Sequence, residues 1–377
     1  MDIKRVVIDN LKNSLGWKTK RKIVVFSIDD YGNVRLDSKQ AREKMDAFGM
    51  KVFSRFDAFD TLETKEDLEI LFEALDSVKD KNGKSAVFTP FALSTNIDFE
   101  AMKDENYASY KSELLPVTFE KLTSLQPNAY TGAWSLWKEG IEKGLMVPQF
   151  HGREHFNLKV FKEKLQQKDS HLLKALETRS NTSVRSTQQP TIGYTAAFDF
   201  WDINENKIFE PIIKEGLSNF EKVYGYRAIQ FNAPGSGEHP QIHPFLKQNG
   251  IQIIDTPFIK KEHQGKGKYK TKITFTGNKN QLGQTYQVRN VVFEPGENKN
   301  VDWSDYVIKQ IEVAFKWGKP AIISSHRVNF CGHIDPANRK NGIDALKKVL
   351  KKIVAKWPDV EFMAASELGK LVIEKQN

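Results

Sequence analysis

Short apolar runs rich in β-branched residues recur along this chain, and amphipathic helical patterns fill the intervals. Residues 22–31, 85–92, 146–150, 228–232, 251–255, 287–293, 321–326 and 360–364 read as strands. Between them, residues 38–48, 64–79, 134–144, 158–177, 205–223, 244–249, 303–317 and 342–357 read as helices, with a last one from 366. Strands that alternate with helices pair in parallel, because each crossover returns the chain to the same end of the sheet. Seven or eight such units in 377 residues predict an α/β fold, a distorted (β/α) barrel of seven or eight strands in a single domain spanning 1–377. An open doubly wound sheet would fit fewer strands. Residues 95–130 break the rhythm and read as an insertion. Phe99, Tyr107, Tyr110, Phe119 and Tyr130 sit there among polar residues, suited either to stacking on sugar rings or to packing the insertion onto its own domain.

The polar chemistry falls at the ends of these strands. Residues 22–32 (KIVVFSIDDYG) finish in two adjacent carboxylates, Asp29 and Asp30. Neighbouring carboxylates repel, and leaving them unpaired in a partly buried site is costly. A divalent cation removes that cost: one Asp can bind it while the other stays free as a base. His151 and His155 are four apart, a spacing that on a helical turn aims both imidazoles at one cation. Two His and one Asp leave room for water and substrate, the open pattern of a catalytic rather than a structural metal. His326, after an apolar strand and two serines, is suited to giving a proton to a leaving group. Asp29, Asp30, His151, His155, Pro234, Asp255 and His326 all lie just after a strand, and in a barrel those positions meet on one rim.

Composition narrows the partners. The formal net charge is +9, with lysines spread along the chain. The densest cluster, residues 260–272, contains two glycines and reads as a mobile loop; Lys347, Lys348, Lys351 and Lys352 read as the solvated face of a helix. No nucleic-acid partner is expected, and an anionic one stays open. A single cysteine, Cys331, rules out an internal disulfide framework, and no apolar run is long enough for a membrane span. The opening Met1-Asp2-Ile3-Lys4-Arg5 lacks the apolar core of a signal peptide, so the chain as it stands reads as cytoplasmic, or exported if a signal has been removed.

In this order the motifs resemble the polysaccharide deacetylase family (carbohydrate esterase family 4, the NodB homology domain), as a divergent member, over about residues 22–370. The first family motif, an apolar strand then Ser/Thr-Phe-Asp-Asp-Gly, resembles Phe26-Ser27-Ile28-Asp29-Asp30-Tyr31-Gly32 with one residue inserted before the glycine. The resemblance makes Asp29 the general base and Asp30, His151 and His155 the metal ligands. His326 becomes the general acid, with Asp255 orienting it. The Arg-x-Pro-Tyr-Gly motif is approached only by residues 232–236, where Asn232 replaces the arginine that holds the base; Arg227, Arg153 and Arg327 are candidates for its replacement. Asn232, Pro234, Gly235 and Arg153 are the implied substrate contacts. The implied activity is metal-dependent removal of N- or O-linked acetyl groups from a carbohydrate, which could be anionic, with Zn²⁺ as cofactor and Co²⁺ or Ni²⁺ as alternatives. Two other readings are a C–N hydrolase acting on a small non-peptide amide, and a carbohydrate-binding protein that keeps the metal without turnover. A retaining glycosidase is more remote; it would need Asp199 or Glu238 as a second carboxylate about 5 Å from Asp29.

Overall fold

The computed structural model describes residues 3–189, 191–297 and 301–376. Ile23, Val24, Val25 and Phe26 favour an extended backbone and burial on both faces of it. They begin β1 (Lys22–Tyr31), in which every residue after Lys22 is buried. The sheet it centres has eight more strands: β2 (Phe88–Ala92), β3 (Gln149–Phe150), β4 (Gln230–Asn232), β5 (Ile253–Asp255), β6 (Thr285–Gln287), β7 (Val291–Val292), β8 (Ala321–His326) and β9 (Val360–Phe362). Eight of the nine run in the order β6-β5-β4-β3-β2-β1-β8-β7, and β9 pairs with the first three residues of β1. Every pairing is parallel. The outer strands, β6 and β7, are consecutive in the chain and are joined by residues 288–290 alone. The sheet therefore curls until one short stretch serves both edges, giving a (β/α) barrel with a seam. Asn290 ties the seam: its amide donates to Pro320 O and Asn13 Oδ1, and its side-chain oxygen accepts from Ile322 N.

Helices supply the crossovers. Lys65–Asp76 shows why they form where they do: Thr64 and Asp67 make a capping box, and Leu68, Leu71, Phe72 and Leu75 face the core. Alternation along the strands then sorts the barrel interior. Ile23 and Val25 pack with Ile322 of β8 on Leu368 and Val372 of the last helix, Ala365–Glu374. On the same face follow Ser27 and Asp29, with Ser324 and His326 as their β8 partners. The interior thus passes from apolar to polar toward the carboxyl ends of the strands, and the ionisable groups collect there. Val24, Phe26 and Ile28 point the other way, into the main apolar cluster.

Several elements differ from the sequence-based expectation. Residues 287–293 do not form one strand: Gln287 ends β6 and Val291–Val292 form β7, because Arg289 and Asn290 carry polar side chains to buried partners and break the ladder between them. Residues 260–272 are no mobile loop: Ile259–His263 and Tyr269–Ile273 form an antiparallel hairpin in which Lys260 is buried on Glu238. The helix expected over 158–177 is two, Leu158–Gln166 and Ser170–Glu177, separated where Lys168 takes φ +50° and Asp169 caps the second. In the 95–130 stretch Phe99, Phe119 and Tyr130 are buried and Tyr107 and Tyr110 pack on the core. These aromatics pack the segment; none lines the cleft that holds Asp29. Among the described residues no helix is long and apolar enough to cross a membrane.

Candidate metal and acid–base site

Asp29 and Asp30 lie where β1 loses its regularity. The ladder with β2 shifts register between Ile28 and Tyr31, and Asp30 has φ +77°. A residue with a Cβ pays of order 1–3 kcal/mol for such backbone, and asparagine and aspartate tolerate it best. In a regular strand adjacent side chains face opposite ways. The irregularity lets both carboxylates open into one cleft.

His151 follows β3, and His155 lies in the loop beyond it, not on the helical turn that the spacing suggests. Gly152, at φ +126°, makes the turn that brings the two rings to a centroid distance of 5.1 Å. His155 Nε2 is 2.6 Å and His151 Nε2 3.4 Å from the same oxygen, Asp30 Oδ1. His151 Nδ1 is 2.9 Å from the backbone carbonyl of Asn232. A carbonyl only accepts, so Nδ1 carries the proton, and in the neutral ring Nε2 presents a lone pair. That buried nitrogen has no hydrogen-bond partner among the described residues, and it faces a carboxylate oxygen. An acceptor facing an acceptor repels; a cation held between them removes the conflict. Two buried imidazoles and a buried carboxylate, with ligand atoms within 4.8 Å of one another, suit zinc and related divalent ions. The Nδ1–carbonyl bond is the support expected behind a ligating histidine. The residues fit a metal.

The second half of the cleft handles protons. Arg289, in the barrel seam, donates from Nη1 and Nη2 to the two oxygens of Asp29 at 2.7 Å each. Its Nε reaches Asp255 Oδ2 at 3.1 Å, and its guanidinium carbon lies 5.0 Å from the centre of the Phe91 ring. Burial pushes the Asp29 carboxyl up, but Arg289 first, and then His151 and His326, together outweigh this and hold it below its ordinary value. Asp255, also buried and sharing the same arginine with a charged neighbour, is pushed up to about 6. His326 is the β8 register partner of Asp29, with Nε2 3.9 Å from Asp29 Oδ2. Its Nδ1 lies 2.6 Å from Glu294 Oε1. Burial disfavours the imidazolium, but Glu294 first, then Asp30 and Asp29, raise the His326 pKa to about 9. Glu294 is itself held by Arg55 and Asn329. Phe56 meets the His326 ring edge-on at 5.2 Å between centroids.

Asp29, Asp30, His151, His155 and His326 line one cleft of about 230 Å³. Asn232 at the end of β4 and Gly235 in the turn after it border the cleft, as do Ser54, Phe56 at the start of the short helix Phe56–Phe59, and Ser183. A larger cavity of about 620 Å³, bordered by His239, His243 and Lys260, contains none of these groups. Of the expected substrate contacts, Asn232 and Gly235 reach the cleft. Pro234 and Arg153 do not: Pro234 packs beside Gly152, and Arg153 pairs with Glu154 and Glu215. Asp255 does not orient His326, because Arg289 draws it to Asp29 and Glu294 occupies His326. None of the arginines offered to replace the one at Asn232 holds Asp29: Arg227 is on exposed Glu221, Arg153 on Glu154, and Arg327 is buried on Asp60 and Glu63. Arg289 holds it instead. Asp199 is engaged by His263 and Glu238 by Lys260, and neither borders the cleft. The sequence reading missed Arg289 and Glu294. A lone arginine inside an apolar run and a glutamate just after Phe293 were the available signals.

No protein-family model matches the chain, and no curated protein does. Solved structures resemble it at low identity. A Mycobacterium smegmatis protein assigned to the polysaccharide deacetylases is 12% identical over 96% of this chain and 94% of its own, with a TM-score of 0.48. A Pseudomonas aeruginosa PAO1 protein assigned to the same class is 9% identical over 93% and 91%, with a TM-score of 0.46. PuuE allantoinase also resembles the chain, at 11% identity over 94% and 91% and a TM-score of 0.41. The chemistry is argued below from the site alone.

Proposed function

We propose that this chain is a metal-dependent hydrolase that removes acetyl groups, N- or O-linked, from a carbohydrate. One observation carries the reading: a donor set that fits a divalent cation shares its cleft with a carboxylate kept ionised and a histidine kept protonated. Asp30, His151 and His155 would hold the ion, with zinc the first choice for two imidazoles and a carboxylate. When bound, such an ion supplies Lewis acidity, polarising an acyl carbonyl and acidifying a water. Asp29 accepts a proton at its carboxylate as water adds to the carbonyl, and Arg289 keeps that carboxylate charged and aimed. His326 gives its Nε2 proton to the departing amine or alkoxide, and Glu294 on Nδ1 fixes the ring for it. A cleft of about 230 Å³ also suits a small amide, and the same groups would serve that C–N hydrolysis.

Purified protein should carry about one metal ion per chain by mass spectrometry, lost in His155→Ala. It should release acetate from acetylated saccharides. Asp29→Asn should keep the metal and lose about 10²–10⁴ in rate, the usual contribution of a general base. A chain that takes up no metal after incubation with Zn²⁺ would sink the mechanism. Turnover of acetamide without any turnover of acetylated saccharides would select the small-amide reading.

A further inference from the structure

We propose that the catalytic cleft continues into a second, cationic subsite that binds an anionic unit of the saccharide; this rests on the carbohydrate reading above. The cleft of about 230 Å³ is smaller than the roughly 300–1,000 Å³ of pockets that enclose a whole ligand. A neighbouring cavity of about 290 Å³ shares Ser183 with it. Ser183 is the point at which a saccharide longer than the cleft would pass from one to the other.

The shared wall is held in place. Ser183 N donates to Asp57 Oδ1 at 3.3 Å, and Arg35 Nη2 donates to Ser183 Oγ at 2.8 Å. Arg35 and Asp57 are themselves a buried ion pair, so the loop carrying Phe53 to Asp57 and the segment carrying Ser183 to Arg185 are tied at one point.

The charge of the second cavity is one-sided. Lys51, Lys164, His171 and Arg185 border it, and Asp169 is the one acidic residue among its described lining residues. Lys164 and Asp169 pair at 3.2 Å and offset each other. Among the described residues Lys51 and Arg185 form no ion pair, so they leave cationic character facing the cavity. Arg185 stacks over Phe53, its guanidinium carbon 5.5 Å from the ring centre, and Phe53 is 55% exposed. Stacking fixes a guanidinium while leaving its in-plane N–H groups free for an oxyanion. An exposed aromatic face beside it matches the apolar face of a sugar ring. A merely solvated lysine surface would not need the exposed phenylalanine. A sugar bearing a carboxylate or a sulfate satisfies both features at once.

The test is isothermal titration of the zinc-loaded wild-type protein with tetramers of galacturonate, sulfated galactose and N-acetylglucosamine. The expected result is that at least one anionic tetramer binds about tenfold or more tighter than the neutral one, a difference of about 1.4 kcal/mol. The galacturonate and sulfate arms tell the two anions apart. Lys51→Gln/Arg185→Gln should remove the preference, and Phe53→Ala should weaken all three tetramers. Lys348→Gln/Lys351→Gln, the same charge change on a distant helix, should preserve it. Equal binding of all tetramers overturns the subsite, and so does loss of the preference in the distant pair, which would mean bulk charge alone. All of these residues are exposed, so melting curves close to wild type are expected for every variant. Acetate release by the wild type is measured in parallel. Its absence with the anion preference intact removes the deacetylase reading and leaves the subsite; its presence without the preference does the reverse.

Discussion

Arg289 and Glu294 set the charge states on which the proposed chemistry depends. Burial would push the Asp29 carboxylate toward its neutral form; the bidentate arginine, with His326 beside it, prevents it. Arg289→Met should lower acetate release by about 10²–10⁴ while metal content stays near one per chain, since no metal ligand touches it. Kinetics and metal analysis on the same preparation check this. The histidine gives the pH prediction. His326 is raised to about 9, so it is charged in the folded chain at pH values where the unfolded residue, near 6.5, is neutral. A raised folded pKa stabilises fully below about 6.5 and loses that effect as pH rises through about 9. kcat should therefore fall through about pH 9, and thermal stability should decline between the two values. Glu294→Gln removes the strongest influence that raises the group, so both the kcat limb and the decline should move to lower pH. A kcat limb unmoved in that variant would refute the assignment of His326 as the acid.

At the scale of elements, helices with a continuous apolar stripe were the most legible. Thr64 and Asp67 predicted the start of Lys65–Asp76 because a capping box is local chemistry. Strand lengths were less legible: residues 146–150 shrink to a two-residue strand and 287–293 divide. Whether a backbone stays in a ladder depends on partners far away in sequence, and apolar character alone does not report them. The two histidines were found for a reason that does not hold here, since Gly152 rather than a helical turn brings them together. One helix contact also reaches the site. Within Pro336–Lys356, a Cβ added to Gly342 would lie 1.8 Å from the backbone oxygen of Asn329. The Asn329 side chain donates to Glu294 and to Ser325, and its oxygen accepts from Arg55. Alanine gains up to about 1 kcal/mol over glycine in a helix interior, but a collision with backbone exceeds that, as overpacking typically costs about 1–3 kcal/mol. Gly342→Ala should therefore lower stability in urea titration despite the better helix former.

Over the whole molecule, the alternation of strand and helix was enough to predict the parallel barrel and to place Asp29, Asp30, His151, His155 and His326 on one rim. It could not place Arg289. Its carboxylate partner is 260 positions away, and the guanidinium reaches it only because the barrel closes at the residues that carry it. The closure has its own test. Asn290→Ala would leave Pro320 O, Ile322 N and Asn13 Oδ1 without their side-chain partner, and each buried polar group left unpaired costs about 1–3 kcal/mol. The variant should melt well below the parent in calorimetry and lose activity with it, because Arg289 is the adjacent residue.

The central position of β1 has a consequence for how the protein is made. One edge of the strand pairs with β2 from residue 88, but the other waits for β8, which begins at residue 321. A chain emerging from the ribosome holds all three metal ligands by residue 155, long before His326 exists to stand beside Asp29. Through most of synthesis an apolar strand edge is open to pairing with the wrong chain. Pairing of this edge therefore waits for residues 321–326, and a product truncated before them would be both inert and prone to aggregate.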